Sequence, residues 1–255
     1  MRLFTLLLAA LLPAIFTAPV RAEGLKAGET WREPNTGIEF VYIPAGCFDM
    51  GLDDTAEKDE LPVHKVCVKA FMLGRYEITQ DQYRKVTTLK PSEFIGGSNP
   101  VEQVSWDDAQ LFVREMNRVS GQRFNLPSES QWEYACRAGG QHSTYCGQGF
   151  LAQLAWGVGN ADYHPHPVGK KKANAWNLYD MSGNVREWVE DCYGDNYSGA
   201  PADGSPVQRA DCPLRVQRGG AWIDGPQAAR AANRSGVAPT QRNGLAGFRL
   251  LRALP

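Results

Sequence analysis

The stretch 177–193 reads NLYDMSGNVREWVEDCY and is the part of this chain most informative about its function. Gly183 and Asn184 form a pair suited to positive φ, so we expect a tight turn there. Oxygen-bearing side chains surround that turn at close, irregular spacing: Asp180, Asn184, Glu187, Glu190 and Asp191. Such a set suits a hard cation such as Ca²⁺, since turn carbonyls can complete the ligand shell. An ordinary acidic surface turn before a buried tryptophan is the alternative, because the spacing is not that of an EF-hand loop.

The N-terminus has the pattern of a secretory signal peptide. Arg2 precedes an apolar run over 3–18, and small residues end at Ala22, so we expect cleavage after Ala22. Pro13 interrupts the run, which is short for a membrane span. We therefore predict export to the periplasm, no membrane-spanning segment, and one mature domain over 23–255. Its 25 basic residues against 28 acidic ones, once the two signal-peptide arginines are removed, do not favour nucleic acid as a partner.

Cysteine usage agrees with an oxidising compartment. The six cysteines all follow the signal peptide, and an even count there predicts three disulfides among 15 possible pairings. We favour the sequential pairs because each closes a short loop. The pairs are Cys47–Cys67, Cys136–Cys146 and Cys192–Cys212.

Residue patterns predict strands at both ends of the chain and helices between them. Alternating apolar residues favour strands over 37–50 and 63–72, and shorter strands are expected over 214–222 and 247–252. Three helices are predicted to begin at capping hydroxyls, which satisfy backbone N–H groups: Thr79, Ser105 and Ser128. After Gly139 little regular structure is expected, and such long irregular segments usually build a site or depend on disulfides or metal.

Seven segments, in this order, resemble the formylglycine-generating enzyme family, also called the sulfatase-modifying-factor family. They are VYIPAGCFDMG (41–51), YEITQDQY (76–83), PVEQVSWDDAQLFV (100–113), FNLPSESQWEYACRAG (124–139), NLYDMSGNVREWVED (177–191), RVQRGGAW (215–222) and GFRL (247–250). The resemblance implies an α+β domain with little regular secondary structure, a variant of the C-type-lectin fold.

The resemblance also implies a structural calcium site in the opening stretch. By position, its ligands are the side chain of Asp180, the turn carbonyls of Gly183 and Val185, and Glu187. A second site of some members needs an Asn and a later Asp. Asn160 and Ala161 match its first half, but the segment that follows is shortened and has no clear matching Asp.

The family's oxidase activity requires a pair of cysteine thiolates that bind Cu(I), a soft ion that prefers sulfur. Asp224 stands where the resemblance places the first of them, and no cysteine follows Cys212. Asp offers only hard oxygen ligands, so we expect no copper and no formylglycine-generating activity, and we predict no catalytic residue. A non-heme iron site would need two histidines beside a carboxylate. His164 and His166 are the best candidates, although polar loop histidines explain them better.

A working surface, if present, is expected near the lost copper site. Its candidate residues are Trp222, Asp224, Arg230, Asn233, Arg234 and Arg249. Structural roles are the favoured alternative for the arginines, and Arg249 is expected to pair with Glu187 or Asp191.

Three functions remain open from the sequence. The first is a non-catalytic periplasmic regulator that binds a membrane kinase's sensor domain or a lipoprotein, as in the threonine-phosphorylation pathway that activates type VI secretion. The second is an enzyme of oxidative maturation, as in pyoverdine siderophore synthesis. The third, by fold analogy alone, is a lectin-like ligand-binding module.

Overall fold

The computed structural model describes residues 24–254, so the predicted signal peptide lies outside the described residues. Within 24–254, no helix has the length and apolar character needed to cross a membrane. The elements in chain order are β1 (Thr30–Arg32), β2 (Glu39–Ile43), β3 (Gly46–Met50), a 3₁₀ turn (Lys58–Glu60), β4 (His64–Val68), β5 (Phe71–Gly74), α1 (Gln80–Thr87), α2 (Trp106–Ser120), β6 (Phe124–Asn125), α3 (Glu129–Cys136), α4 (Leu151–Leu154), β7 (Arg186–Cys192), β8 (Arg215–Arg218), β9 (Arg234–Val237), β10 (Ala246–Gly247) and β11 (Leu251–Ala253).

The strands form three sheets. The largest has the order β1-β2-β5-β11-β6 with antiparallel neighbours, so the first and last strands of the chain meet in it. A second sheet has the order β10-β7-β8-β9, in which β10 and β7 are parallel. The third is the hairpin β3-β4. With its few short helices, this arrangement confirms the α+β class predicted from the sequence.

All three predicted helix starts are confirmed. The hydroxyls of Thr79, Ser105 and Ser128 accept from the backbone N–H three residues later. The backbone N–H of each capping residue in turn donates to the side chain of that later residue. Helix α2 buries Ala109, Phe112, Val113 and Met116 along one face, and its C-cap, Gly121, adopts the left-handed conformation. Its buried face packs in a core with α1 and the largest sheet.

Two of the strands predicted from the sequence are each divided into two strands in the structure. The prediction over 37–50 covers β2 and β3, which belong to different sheets and are separated by Pro44 and Ala45. Pro44 has no N–H to donate, so the ladder of β2 ends before it. The prediction over 63–72 covers β4 and β5 in the same two sheets. The strand predicted over 214–222 stops at Arg218, because Gly219 and Gly220 adopt φ of +94° and +75°.

The disulfide prediction is confirmed for all three pairs. Cys47 and Cys67 lie opposite each other on β3 and β4. Cys136 ends α3 and joins Cys146, which anchors the start of the irregular segment after Gly139. Each bridge closes a short loop and is expected to add about 2–4 kcal/mol to stability.

Buried ion pairs connect α3 to the second sheet. Glu129 receives two bonds from Arg234, of 2.8 and 2.7 Å, and Glu133 contacts Arg137 and Arg218. The three arginines and both carboxylates are almost fully buried. Removing one partner of such a pair is costly because the other charge is left uncompensated in the interior.

Candidate functional site

The six residues predicted to line one cleft lie in different environments. Arg249 is fully buried. Two nitrogens of its guanidinium group, Nε and Nη2, each donate a 2.6 Å hydrogen bond to Glu187, which confirms the expected pairing. Arg234 is tied to Glu129, and Arg230 forms a two-bond pair with Glu60.

The other three candidates differ in exposure. Trp222 is buried and donates to the carbonyl of Gly244, whereas Asn233 is half-buried, and its carbonyl accepts from Arg218. The structure therefore does not bring the six together, and of them Asp224 lines the pocket described next.

Asp224 is held in an ion pair with Arg186, the first residue of β7. Its two carboxylate oxygens accept from the guanidinium at 2.8 and 2.7 Å, and one also accepts from the N–H of Ala221 at 2.8 Å. Both side chains are partly buried. All the oxygens of this carboxylate thus have donors, and the charge is neutralised locally.

An apolar pocket of about 300 Å³ lies beside this ion pair. Its walls come from α4 and the segment that follows it, from the turn at Gly183 and from the loop after β8. The lining residues are Leu151, Ala152, Ala155, Trp156, Gly157, Val158, Gly159, Asn160, Gly183, Ala221, Asp224, Pro226 and Ala229. A concave apolar site with few polar groups is the usual form of a ligand pocket.

Trp156 lines the pocket, and two further side chains pack against its indole ring. The imidazole of His166 stacks on it with ring centroids 3.8 Å apart, and the ammonium of Lys171 lies 3.7 Å from the centre of the Trp156 ring. Burial lowers the pKa of His166 and also that of Lys171. His164 lies 4.4 Å from His166, ring to ring. Cation–π contact with Lys171 stabilises the indole in this position.

The turn predicted from Gly183 and Asn184 fixes this wall. Both residues adopt positive φ, +81° and +66°, as expected. A Cβ on Gly183 would lie 2.3 Å from the carbonyl oxygen of Trp156, so a larger residue does not fit. Asn184 donates its N–H to that same oxygen and accepts from the N–H of His166. The stretch 177–193 therefore builds one side of the pocket.

The predicted calcium ligands differ in how free their oxygens are. Asp180 is buried, and one oxygen accepts from Gly169 at 2.7 Å while Oδ1 has no partner in the described structure. Burial raises the pKa of Asp180 to about 6. Glu187 instead has both oxygens occupied by Arg249, and one also accepts from Trp132. Asp180 thus fits a cation ligand, whereas Glu187 does so only if it leaves Arg249.

A third buried carboxylate, Glu77, lies near these two. It accepts from the amide of Asn184 and from the N–H of Val185. Burial, followed by the charges of Asp180 and Glu187, raises its pKa well above the usual range. Three carboxylates with a single buried arginine leave a deficit of positive charge, which either protons or a bound cation can supply.

The doubtful second metal site has internal partners. The side chain of Asn160 accepts from Gly157 at 2.9 Å and donates to Ala155 at 3.0 Å, and the carbonyl of Ala161 is bonded to the ring of His166. Across 24–254, no three His, Cys, Asp or Glu side chains are grouped as metal ligands. All six cysteines are in disulfides, which leaves no thiol for copper in that part of the chain.

Comparison with known proteins identifies the family. The family described as "Sulfatase-modifying factor enzyme 1-like domain" matches residues 26–254. The chain belongs to this family. The structure of PvdO from Pseudomonas aeruginosa is 33% identical, with a TM-score of 0.81, and the match covers 90% of this chain and all of that one. This likeness confirms the predicted variant of the C-type-lectin fold.

Two curated relatives show how the domain is used elsewhere in the family. The chaperone protein LppX of Paenibacillus barcinonensis is 25% identical over 94% of this chain and 98% of its own length. The serine/threonine-protein kinase pkn1 of Chlamydia pneumoniae is 31% identical over 83% of this chain, but the match spans only 37% of the kinase.

Sequence reasoning missed Trp156, Arg186 and Glu77 as site residues. Arg186 lies inside the quoted motif, and its alternation with buried Val185 and Glu187 could have indicated a side chain facing the other way. Trp156 had no signal besides its irregular, glycine-rich surroundings.

Proposed function

We propose that this chain is a non-catalytic binding protein of the sulfatase-modifying-factor family, which holds a polypeptide partner at the pocket beside Asp224. The observation that carries the proposal is the Arg186–Asp224 ion pair, which occupies the place where the resemblance puts the first copper-binding cysteine. A neutralised carboxylate offers neither a thiolate nor a free base, and the apolar walls suit binding.

The relatives support a binding role in general terms. LppX, which aligns over nearly its full length, is named a chaperone, so one relative of this size works on another protein. In pkn1 the matching region is one part of a kinase. For this chain we propose export to the periplasm and a partner that is the sensor domain of a membrane kinase or a lipoprotein. The pathway we favour is the threonine-phosphorylation pathway that activates type VI secretion.

Site-specific photo-crosslinking in cells tests the binding role. A benzoylphenylalanine at Val158, on the pocket wall, should give a defined crosslinked product that mass spectrometry identifies. Gly159→Phe should remove that product, since Gly159 lines the pocket and a Cβ there meets no atom within 4 Å, so the ring is accommodated at the pocket wall without a clash. Leu89→Phe, at an exposed site outside the pocket, introduces the same side chain as a control. A product that persists in Gly159→Phe argues against this site.

The absence of oxidase chemistry has its own test. The purified protein, supplied with Cu(I) and a cysteine-containing sulfatase peptide, should yield no aldehyde detectable by hydrazine labelling. Turnover above that of the peptide with copper alone would overturn the non-catalytic assignment.

A second candidate function is oxidative maturation of a siderophore, which the sequence left open and which the small apolar pocket also suits, since such pockets are the usual form of a small-molecule site. It predicts that a deletion strain accumulates an immature siderophore and that pocket-filling Gly159→Phe has the same effect. If the deletion strain still makes mature siderophore, the second candidate function is wrong and the binding role remains.

We also propose a structural calcium ion at the turn, held by Asp180 and the carbonyls of Gly183 and Val185, with Glu187 joining if it leaves Arg249. The partnerless oxygen of Asp180 and the local excess of carboxylates support it. Bound calcium would neutralise that excess and stiffen the turn against Trp156.

A further inference from the structure

The pocket beside Asp224 opens through an apolar rim. Val158 on its wall is 48% exposed, Ile223 next to Asp224 is 42% exposed, and Phe150 next to Leu151 is 81% exposed. Large apolar side chains this exposed around an apolar cavity are typical of a contact surface. The enclosed volume suits one or two side chains of a partner rather than a folded element.

The segment that builds most of the pocket has an unusual charge. Residues 139–179 contain three lysines, one aspartate, and no arginine or glutamate, so their formal charge is +2. The whole chain has a formal charge of −1, which leaves −3 for the remainder. Positive charge is therefore concentrated at the pocket on a protein that is otherwise acidic.

The lysines are held at the edge of the pocket by carbonyl groups. Lys171 donates to the carbonyl of Ala152, a lining residue, at 2.7 Å, and Lys172 donates to that of Gln148 at 3.0 Å. Lys170 is exposed beside them. Carbonyl acceptors fix an ammonium group without cancelling its charge, so the lysines keep their positive charge at the edge of the pocket. Asp224, the carboxylate in the lining, is already neutralised by Arg186.

We propose that the pocket recognises an acidic polypeptide segment, in which a large apolar side chain enters the cavity and neighbouring carboxylates contact Lys170 and Lys172. This inference rests on the proposed binding function and adds the chemistry of the partner. Charge complementarity at a rim mainly sets the association rate and partner choice, while the buried apolar group supplies most of the affinity.

Fluorescence anisotropy with two labelled peptides tests the inference. Both peptides contain the same Leu-Trp-Leu centre, which is flanked by aspartates in one and by lysines in the other. The acidic peptide should bind at least about tenfold more tightly at low salt, and the preference should shrink as the Debye length falls. The double variant Lys170→Glu/Lys172→Glu should abolish the preference. Lys65→Glu/Lys69→Glu, with the same change in net charge at exposed sites in and directly after β4, should retain it.

The outcomes separate this inference from the proposed function. If both peptides bind equally, or the basic one binds better, the acidic partner is wrong even when Gly159→Phe still blocks both. If neither peptide binds to the wild type, the inference also fails, and crosslinking at Val158 alone decides whether the pocket holds a partner. Loss of the preference in the Lys65→Glu/Lys69→Glu control would show that net charge, and not the rim, selects the peptide.

Discussion

Asp180 and Glu187 are two buried carboxylates of one motif whose positions relative to Arg249 give them opposite properties. Glu187 is paired in a planar, two-bond geometry with Arg249. Asp180 has a backbone donor on one oxygen and none on the other, so burial dominates and raises its pKa. Removing the charge of Asp180 should therefore raise the free energy of unfolding, whereas breaking the ion pair of Glu187 should lower it.

Disrupting the Glu187–Arg249 pair should be strongly destabilising. Arg249→Met leaves a buried carboxylate without its cation, so we expect a loss of about 3–5 kcal/mol in the free energy of unfolding, measured with urea. The matched control is Arg242→Met, whose pair with Asp108 is exposed and should cost at most about 1 kcal/mol. Similar losses in both variants would show that the buried pair has no special weight.

Asp180→Asn separates the cost of burying a charge from the effect of calcium. In chelator at pH 8, the variant should be more stable by up to about 3 kcal/mol, because a group with a pKa near 6 is charged there at the expense of folding. Added calcium should raise the Tm of the wild type and not that of Asp180→Asn. Identical wild-type melting curves with calcium and with chelator would end the calcium proposal.

At the scale of elements, sequence reasoning worked where the signal is local. Each helix cap depends on a hydroxyl and a partner three residues later, so Thr79, Ser105 and Ser128 could be identified without a fold. Pro44 is a local signal for the end of β2, but it does not show that β2 and β3 belong to different sheets, because that depends on their distant pairing partners, β5 and β4. The pocket was missed for a related reason, since its walls come from segments about 70 residues apart.

The Cys136–Cys146 disulfide is expected to position the segment 139–160, which contains much of the pocket wall. Replacing both cysteines by alanine should lower stability by about 2–4 kcal/mol and expose 139–160 to chymotrypsin, since the bridge ties the start of that segment to α3. Limited proteolysis with mass spectrometry locates the cleavage. Cys47→Ala/Cys67→Ala should cost a comparable amount without new cleavage at 139–160, because its bridge joins two paired strands. Equal cleavage patterns would contradict this role.

For the whole molecule, the buried carboxyl groups predict a stability optimum at acidic pH, near their unfolded pKa values. Burial and the nearby charge of Glu129 raise the pKa of Asp191 to about 7, from 3.8. Between these values the folded carboxyl keeps a proton that the unfolded one releases, so stability falls as pH rises through this window, by up to about 4 kcal/mol. Asp180 acts in the same direction up to about pH 6.

Glu129 opposes this trend at lower pH. Burial would raise its pKa, but the charges of Arg234 and Arg218 outweigh burial and lower it. Its contribution is complete above the unfolded pKa of 4.5 and is lost as the pH falls through the folded value. Tm measured from pH 3 to 8 should thus peak between the unfolded pKa values of 3.8 and 4.5 and fall towards pH 8. A Tm that rises steadily from pH 5 to pH 8 would show that the buried aspartates do not govern the profile.

The family resemblance made the fold predictable, because it follows from ordered motifs, and it placed Asp224 where a copper-binding cysteine was expected. It did not reveal how the Asp224 carboxylate is held. That depended on Arg186, whose partner became visible only when β7 and the loop after β8 were placed side by side.

The Arg186–Asp224 pair also affects how this lineage can evolve. A cysteine at position 224 would leave a half-buried guanidinium without its carboxylate, so this single substitution would itself be destabilising. A copper-binding pair would need changes at 186 and 224 together, plus a second cysteine further along. The ion pair therefore opposes the stepwise appearance of such a pair, since a change at either position alone leaves one charge unpaired.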